Sequence, residues 1–463
     1  MTSTLLRLGT LIVLCVTLIS CGTGVTPTAS PPPASGQPSA VPVATSAAAA
    51  VTSAPATSAP VSDAKVTVRW WHINTIEAEA KVFQDLANDY MAANPNVTID
   101  ITVLENEAFK TRLTTAMQSG DPPDLFQSWG GGVLWQFADA KLVRNIAPEL
   151  NGAWKDSFST KAALELFGKD GEYYGAPWRW GAVGIFYNKE LFAKAGLDPA
   201  APPKTWDEFL SAVKALKAAG ITPIALGEKE KWPGHFWWVY LAIRAGGEQA
   251  FLAAYDRSGT FNDAPFVEAG TRLKELIDLE PFQDGYLGLG YADQAALMGN
   301  GEAAMELMGQ WAPPNQASNS TSGEGLGENL SWFPFPALPD GAGNPTDVLG
   351  GGDGFAVGIN APDATVDFLR YLTSLDVQKL LVEKKMAIPP VIKGAADQIA
   401  DPVMQQIVAA RDGATYSQLY YDQFLPPAVG EAVNDAVEQL FVGVATPEEV
   451  SAQIEDAASS ELR

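Results

Sequence analysis

Cysteine is almost missing from this sequence: the only two are Cys15 and Cys21, both close to the start. Because Cys15 lies inside an apolar leader, the rest of the chain has no pair to oxidise, which excludes a disulfide framework and a cysteine-built zinc cluster. Histidine is equally scarce, with only His72 and His235, in unrelated contexts. Neither a G-x-S-x-G elbow, nor a phosphate-binding P-loop, nor a G-x-G-x-x-G turn occurs, so the common hydrolase and nucleotide signatures are absent and no cofactor or metal is expected. Cations are outnumbered, 30 Lys and Arg against 54 Asp and Glu, for a net charge of −24. A surface of that sign repels nucleic acid and anionic lipid, both of which require basic patches. Beyond the leader, no apolar run approaches the ~20 residues needed to span a bilayer.

The leader places a single Arg7 before an apolar run from Leu8 to Ile19 and closes on Leu18-Ile19-Ser20-Cys21. This pattern reads as a secretory signal over residues 1–20 whose end resembles a bacterial lipobox, with Cys21 as the lipid-bearing residue. Each acyl chain contributes ~0.8 kcal/mol per buried CH₂, so several would hold the protein on the cell membrane. Residues 22–61 follow with no charge and no aromatic side chain, mostly Pro, Ala, Ser, Thr, Val and Gly. Such a segment cannot bury enough to offset its ordering entropy; residues 21–64 are expected to be a lipidated tether spanning roughly 35 Å.

Past the tether the hydrophobic periods alternate. Lys65 to Trp71 alternates as a strand, and Ile76 to Ala93 places Val82, Phe83, Leu86, Tyr90 and Met91 on one helical face before Pro95. Val97–Val103 is a strand, Phe109, Leu113 and Met117 mark a helix, and Asp124–Gln127 is a short buried strand running into three glycines. The rhythm resumes with a strand at Val183–Tyr187, a capping box at Thr205–Glu208 opening a helix to Gly220, and a strand at Ile221–Leu226. Further helices are expected at 265–279, 361–375, 428–441 and 447–459. This is the grammar of α/β layers, and the length suggests more than one of them.

A series of stretches runs in order through the chain: the opening strand with His72-Ile73-Asn74, the helix from Phe83 to Asn94-Pro95, and Gly120-Asp121-Pro122-Pro123-Asp124-Leu125-Phe126. Tyr174–Pro177, Ile185–Phe192, Pro203–Phe209 and Gly351–Val357 continue it. Together they resemble the family 1 extracellular solute-binding proteins, the maltose-binding-like receptors of carbohydrate ABC importers. The resemblance implies an α/β, two-lobed, type II periplasmic-binding-protein fold with discontinuous lobes joined by a hinge: residues 65–180 with 333–388, and 181–332 with 389–463. It also implies a monomeric receptor outside the cytoplasm, anchored to the cell membrane by its N-terminal lipid. Its partners would be a carbohydrate ligand and the ABC permease subunits with their cytoplasmic ATPase, with no nucleic acid.

A neutral sugar needs flat apolar faces for its C–H surfaces and planar polar groups for its hydroxyls. The thirteen tryptophans supply the first, mostly in short clusters beside Gly, Pro or charged residues. Trp70 and Trp206 fall on core positions. Trp129 follows a strand and precedes three glycines; Trp178, Arg179 and Trp180 fall at the implied first crossing between lobes. Trp237 and Trp311 are candidates on the second lobe, with Trp237 and Trp238 pointing ~100° apart on a helix so that one of them faces the core. His72, Asn74 and Glu77 follow the first strand, Asp353 sits in a glycine loop, and His235 neighbours the Trp237 cluster; Asn74 and Glu77 are equally suited to capping a helix. A xylo- or galacto-oligosaccharide is the sugar the Phe126–Gly132 stretch suggests by analogy. A glycoside hydrolase would share the aromatic cleft and the export signal but needs two carboxylates across one bond. A surface adhesin would share the stalk.

Overall fold

The computed structural model describes residues 64–386 and 389–462. Cys21, the signal segment and the tether through residue 63 lie outside the described residues. Val66–His72 buries Val68, Trp70 and His72 on one face and pairs in parallel with Val97–Val103 on one side and Leu125–Ser128 on the other. The helices between these strands, Glu77–Ala93 and Asn106–Gln118, bury Phe83, Leu86 and Tyr90, and Phe109, Leu113 and Met117. Two later segments complete this sheet: Gly354–Val357 runs antiparallel between Leu125–Ser128 and Gly175–Pro177.

A second sheet has the order Leu330–Phe333, Gly184–Asn188, Ala303–Met308, Thr222–Ile224. Gly184–Asn188 is antiparallel to both neighbours, and Ala303–Met308 is parallel to Thr222–Ile224. Against it lies Trp232–Tyr255, a helix interrupted at Gly247, where φ is +62°. From Pro233 to Arg244 every residue of this helix is buried, so it is apolar all round rather than amphipathic. The capping box expected at Thr205–Glu208 is present at the start of Trp206–Ala218, and the last two helices run Pro427–Val442 and Pro447–Glu461.

The two lobes are joined through a small sheet. Val348–Gly351 lies antiparallel to Gly181–Ala182 and parallel to Ser417–Gln418. Glycine is required here by crowding: a Cβ on Gly352 would come within 1.8 Å of the Arg179 carbonyl oxygen, and one on Gly351 within 2.5 Å of the Tyr420 ring. The chain returns from the second lobe later than the 333 boundary expected from sequence. The reason is Arg244, buried, whose guanidinium donates to the carbonyls of Phe335, Pro336, Asn344 and Asp347 and so holds 335–347 on the second lobe. Likewise Pro389, Val391 and Lys393 bond to Trp180, Ser159 and Ser157, which keeps the chain past 389 on the first lobe.

Candidate functional site

The helix Trp232–Tyr255 begins with Trp232 and Phe236 one turn apart, and around them gather rings from three other segments. Trp232 lies 5.1 Å from Tyr291 and 6.5 Å from Trp311; Phe236 stacks on Tyr420 at 4.9 Å; Trp311 meets Tyr420 edge-on at 6.1 Å. Trp232 and Trp311 are half-buried, so this is a wall with a free side rather than a closed core. Trp129, also half-buried, belongs to the first lobe and carries Lys110 5.8 Å over its ring. Burial lowers the pKa of His235, with Lys110 adding to it, and burial raises that of Glu230, with Glu107 a lesser contributor, so charges of helix Asn106–Gln118 reach the 230–235 segment.

Polar groups collect at the foot of the wall. Asp353 is buried, accepts a hydrogen bond from Gln127 Nε2 at 2.6 Å and forms an ion pair with Arg179. Beside it the Tyr420 hydroxyl has no hydrogen-bond partner among the described residues, and neither has the side-chain oxygen of Gln127 or of Gln310. Farther out, a recess of about 720 Å³ is lined by Thr75, Glu77 and Lys81 from the first lobe and Asn315, Ser318 and Asn319 from the second. Half-exposed rings beside amide and hydroxyl oxygens without partners are the groups that can hold a flat, hydroxylated, neutral ligand.

The expected residues divide. Arg179 and Asp353 form a buried ion pair, Glu77 is exposed as the first residue of its helix and lines the recess, and Trp129 and Trp311 keep a half-exposed ring. Trp237 does not: it is 1% exposed and packed against Phe209 and Phe335, while Trp238 packs on Phe266 and Tyr421. Both neighbours are core because Pro233–Arg244 is buried on every side. Trp178 is also core, parallel to Phe355 at 6.2 Å and edge-on to Phe83. Trp180 lines a different recess, with Ser159, Lys161, Lys393 and Arg411. His72 belongs to the core face of its strand, 5.0 Å from Trp70 and 5.1 Å from Phe83, and burial pulls its pKa down to about 4. Asn74 donates to Glu79 at 2.9 Å, and neither it nor Glu77 caps the helix, whose N-cap is Ile76. His235 is fully buried, its pKa lowered by desolvation, with Nε2 3.8 Å from Asp422. Tyr291 and Tyr420 join the wall without any local signal in the sequence, whereas the four-residue spacing of Trp232 and Phe236 marks a shared helical face.

Residues 74–379 match the family model of the bacterial extracellular solute-binding proteins. The chain belongs to that family. Among curated relatives, it is 24% identical over 410 residues to an uncharacterized ABC transporter extracellular-binding protein of Pyrococcus horikoshii, covering 85% of this chain and 88% of the relative. It is 25% identical over 357 residues to the multiple sugar-binding protein of Streptococcus mutans, covering 73% and 78%. Among solved structures, one from work on xylan utilization by the thermophilic bacterium Caldanaerobius polysaccharolyticus superposes with a TM-score of 0.78 at 30% identity, covering 84% of this chain and 99% of that one. A chitin oligosaccharide binding protein gives 0.77 at 26%, covering 86% and 99%. The fold of this family member is accordingly the two-lobed type II periplasmic-binding-protein fold.

Proposed function

We propose that this family member is the extracytoplasmic receptor of a carbohydrate ABC importer, capturing an oligosaccharide between its lobes and passing it unchanged to the membrane permease, while a lipid on Cys21 keeps it at the cell membrane. The observation that carries the reading is the wall of Trp232, Phe236, Trp311 and Tyr420, half open and set above the Asp353, Gln127 and Gln310 side chains. Rings offer the C–H faces of a pyranose a flat apolar surface, and the amides and hydroxyl supply the edges its hydroxyls need. Asp353 is engaged by Arg179 and Gln127 rather than standing opposite a second carboxylate, which favours capture over glycosidic cleavage. A xylo- or chito-oligosaccharide is the first class to try, in keeping with the relatives named for xylan utilization and chitin oligosaccharide; galacto-oligosaccharides come next.

Calorimetric titration with xylo-, chito-, galacto- and malto-oligosaccharides tests this directly. Saturable binding without product is expected, and Trp311→Ala should weaken it by about 2 kcal/mol or more with little change in the melting of the free protein. Trp237→Ala should do the reverse, costing ~3–5 kcal/mol of stability as a buried large-to-small change. Failure of every sugar to bind, or release of shortened products, would overturn the proposal.

A further inference from the structure

Every residue of strand Ala303–Met308 is buried, and at its middle, opposite Phe186, stands a carboxylate, Glu306. Burying a carboxylate there costs stability, and an apolar side chain of similar volume would serve the core as well or better. What the carboxylate does is collect amides. Gln294 Nε2 donates to one oxygen at 3.0 Å and Gln316 Nε2 to the other. Gln294 lies one turn after Tyr291 on helix Tyr291–Gly299, and Gln316 lies on helix Ala312–Asn319, which starts just after Trp311. The side-chain oxygen of Gln294 accepts the Gly227 N–H at 2.9 Å, tying in the loop that leads to Trp232. Each of the three segments gathered around this one group therefore carries a ring of the wall.

We propose that Glu306 is a positioning residue for sugar binding, fixing the relative placement of Tyr291, Trp311 and Trp232 through Gln294 and Gln316; this rests on the carbohydrate reading above. The ionised form accepts strongly from both amides; once protonated, its hydroxyl oxygen is a much weaker acceptor. Burial pushes Glu306 up to about 7, with the two amides pulling it back. The Tyr291 hydroxyl faces it, and helix Trp232–Tyr255, which also packs on this strand, brings His235, whose pKa burial lowers, and Arg244, which is bonded to the carbonyls of 335–347. Strands Gly184–Asn188 and Thr222–Ile224 and helix Ala312–Asn319 bring no charged residue; Tyr187 turns its hydroxyl to Pro199; Asp293 on the remaining helix is exposed; and in the 228–231 loop Glu230 accepts the Tyr291 N–H at 2.9 Å, while Glu228 and Lys231 interact with Glu438 and Lys231 pairs with Asp435. As pH falls through about 7, one of the two ties weakens.

The test is the affinity of the full protein for the xylo- or chito-oligosaccharide selected by titration, at pH 5.5 and pH 8.5, for the wild type and Glu306→Gln. Wild-type affinity should be on the order of tenfold higher at pH 8.5. Glu306→Gln should bind weakly at both, with a ratio near one, yet unfold no more easily than the wild type at pH 8.5 because its neutral amide avoids burying a charge. Wild-type affinity in Glu306→Gln at pH 8.5, or a wild-type pH ratio in that variant, overturns the proposal. Should Glu306→Gln fail to fold, Gln316→Met removes one donor alone, and unchanged affinity there overturns it equally. A wild-type protein that binds no carbohydrate overturns this inference together with the function itself, an outcome distinct from the others.

Discussion

His72 and Trp311 illustrate how far residue type carries and where position takes over. Both are sugar-binding types next to glycine-poor or glycine-rich turns, yet His72 shares the parity of Val68 and Trp70 along Val66–His72 and so turns into the core. That parity is legible in the sequence, because side chains two apart share a face of a strand. The facing of Trp237 is not, since a helix buried all round gives no polar side to read. The burial of His72 has a consequence in acid. Its pKa falls from 6.5 unfolded to about 4 folded, so the unfolded chain takes the proton first as pH drops. The contribution is complete above 6.5 and declines down to about 4, by roughly 3 kcal/mol over that window. His235, also lowered by burial, acts in the same direction. Glu306, raised to about 7, acts oppositely, its folded form holding a proton the unfolded one has released. The wild-type pH profile is thus a partial cancellation, and a variant separates the terms: in urea unfolding, the stability of His72→Gln relative to the wild type should rise between pH 7 and pH 4.5. A difference that stays constant with pH would place the protonated imidazole where water or a carboxylate relieves it.

At the scale of elements, most of what the sequence announces is local chemistry. The capping box Thr205–Glu208, the stop at Asn94-Pro95 and the four-residue spacing of Phe109, Leu113 and Met117 each predict an element that is present. What escapes is the partner of each element. Nothing local to Phe335–Asp347 shows that this stretch belongs with Trp232–Tyr255; that is decided by one guanidinium reaching four carbonyls about ninety to a hundred residues further along. Arg244 is a buried cation whose pKa is lowered by desolvation, and Tyr240 beneath it stacks on Phe335 at 4.4 Å. Replacing it removes the donor to Phe335, Pro336 and Asp347, while the Asn344 carbonyl keeps the Asp347 N–H. Arg244→Met should lower the unfolding free energy by about 3–5 kcal/mol, far more than loss of an exposed pair such as Lys81 with Asp85, worth ~0.5 kcal/mol. Denaturant unfolding of the two variants side by side checks the contrast; equal losses would mean that 335–347 is held by its aromatic contacts alone.

For the whole molecule the sequence reveals a family and hence two lobes, but the crossings between them depend on backbone pairing across long separations. Gly181–Ala182, Val348–Gly351 and Ser417–Gln418 meet in one small sheet, and no period or composition marks three such short pieces as neighbours. Their geometry bears on mechanism. A ligand that touches Trp129 on one lobe and Trp311 on the other has more contacts when the lobes are close, and only that difference in affinity can drive closure. The bending must be taken up where few strands connect the lobes, so each lobe keeps its own core while their relative position changes. A permease pair can then distinguish the loaded receptor by the spacing of two surfaces. Sugar at saturation should therefore alter the radius of gyration of the chain from Asp63 onward, and tryptophan fluorescence should follow the same concentration dependence, since Trp129, Trp232 and Trp311 are the half-buried rings at the cleft. Substituting Gly352→Val should destabilise the crossing itself, lowering the melting temperature, because its Cβ would come within 1.8 Å of the Arg179 carbonyl oxygen. Solution scattering that shows identical dimensions with and without a demonstrably bound sugar would rule out the hinge as the signal, whatever the affinity.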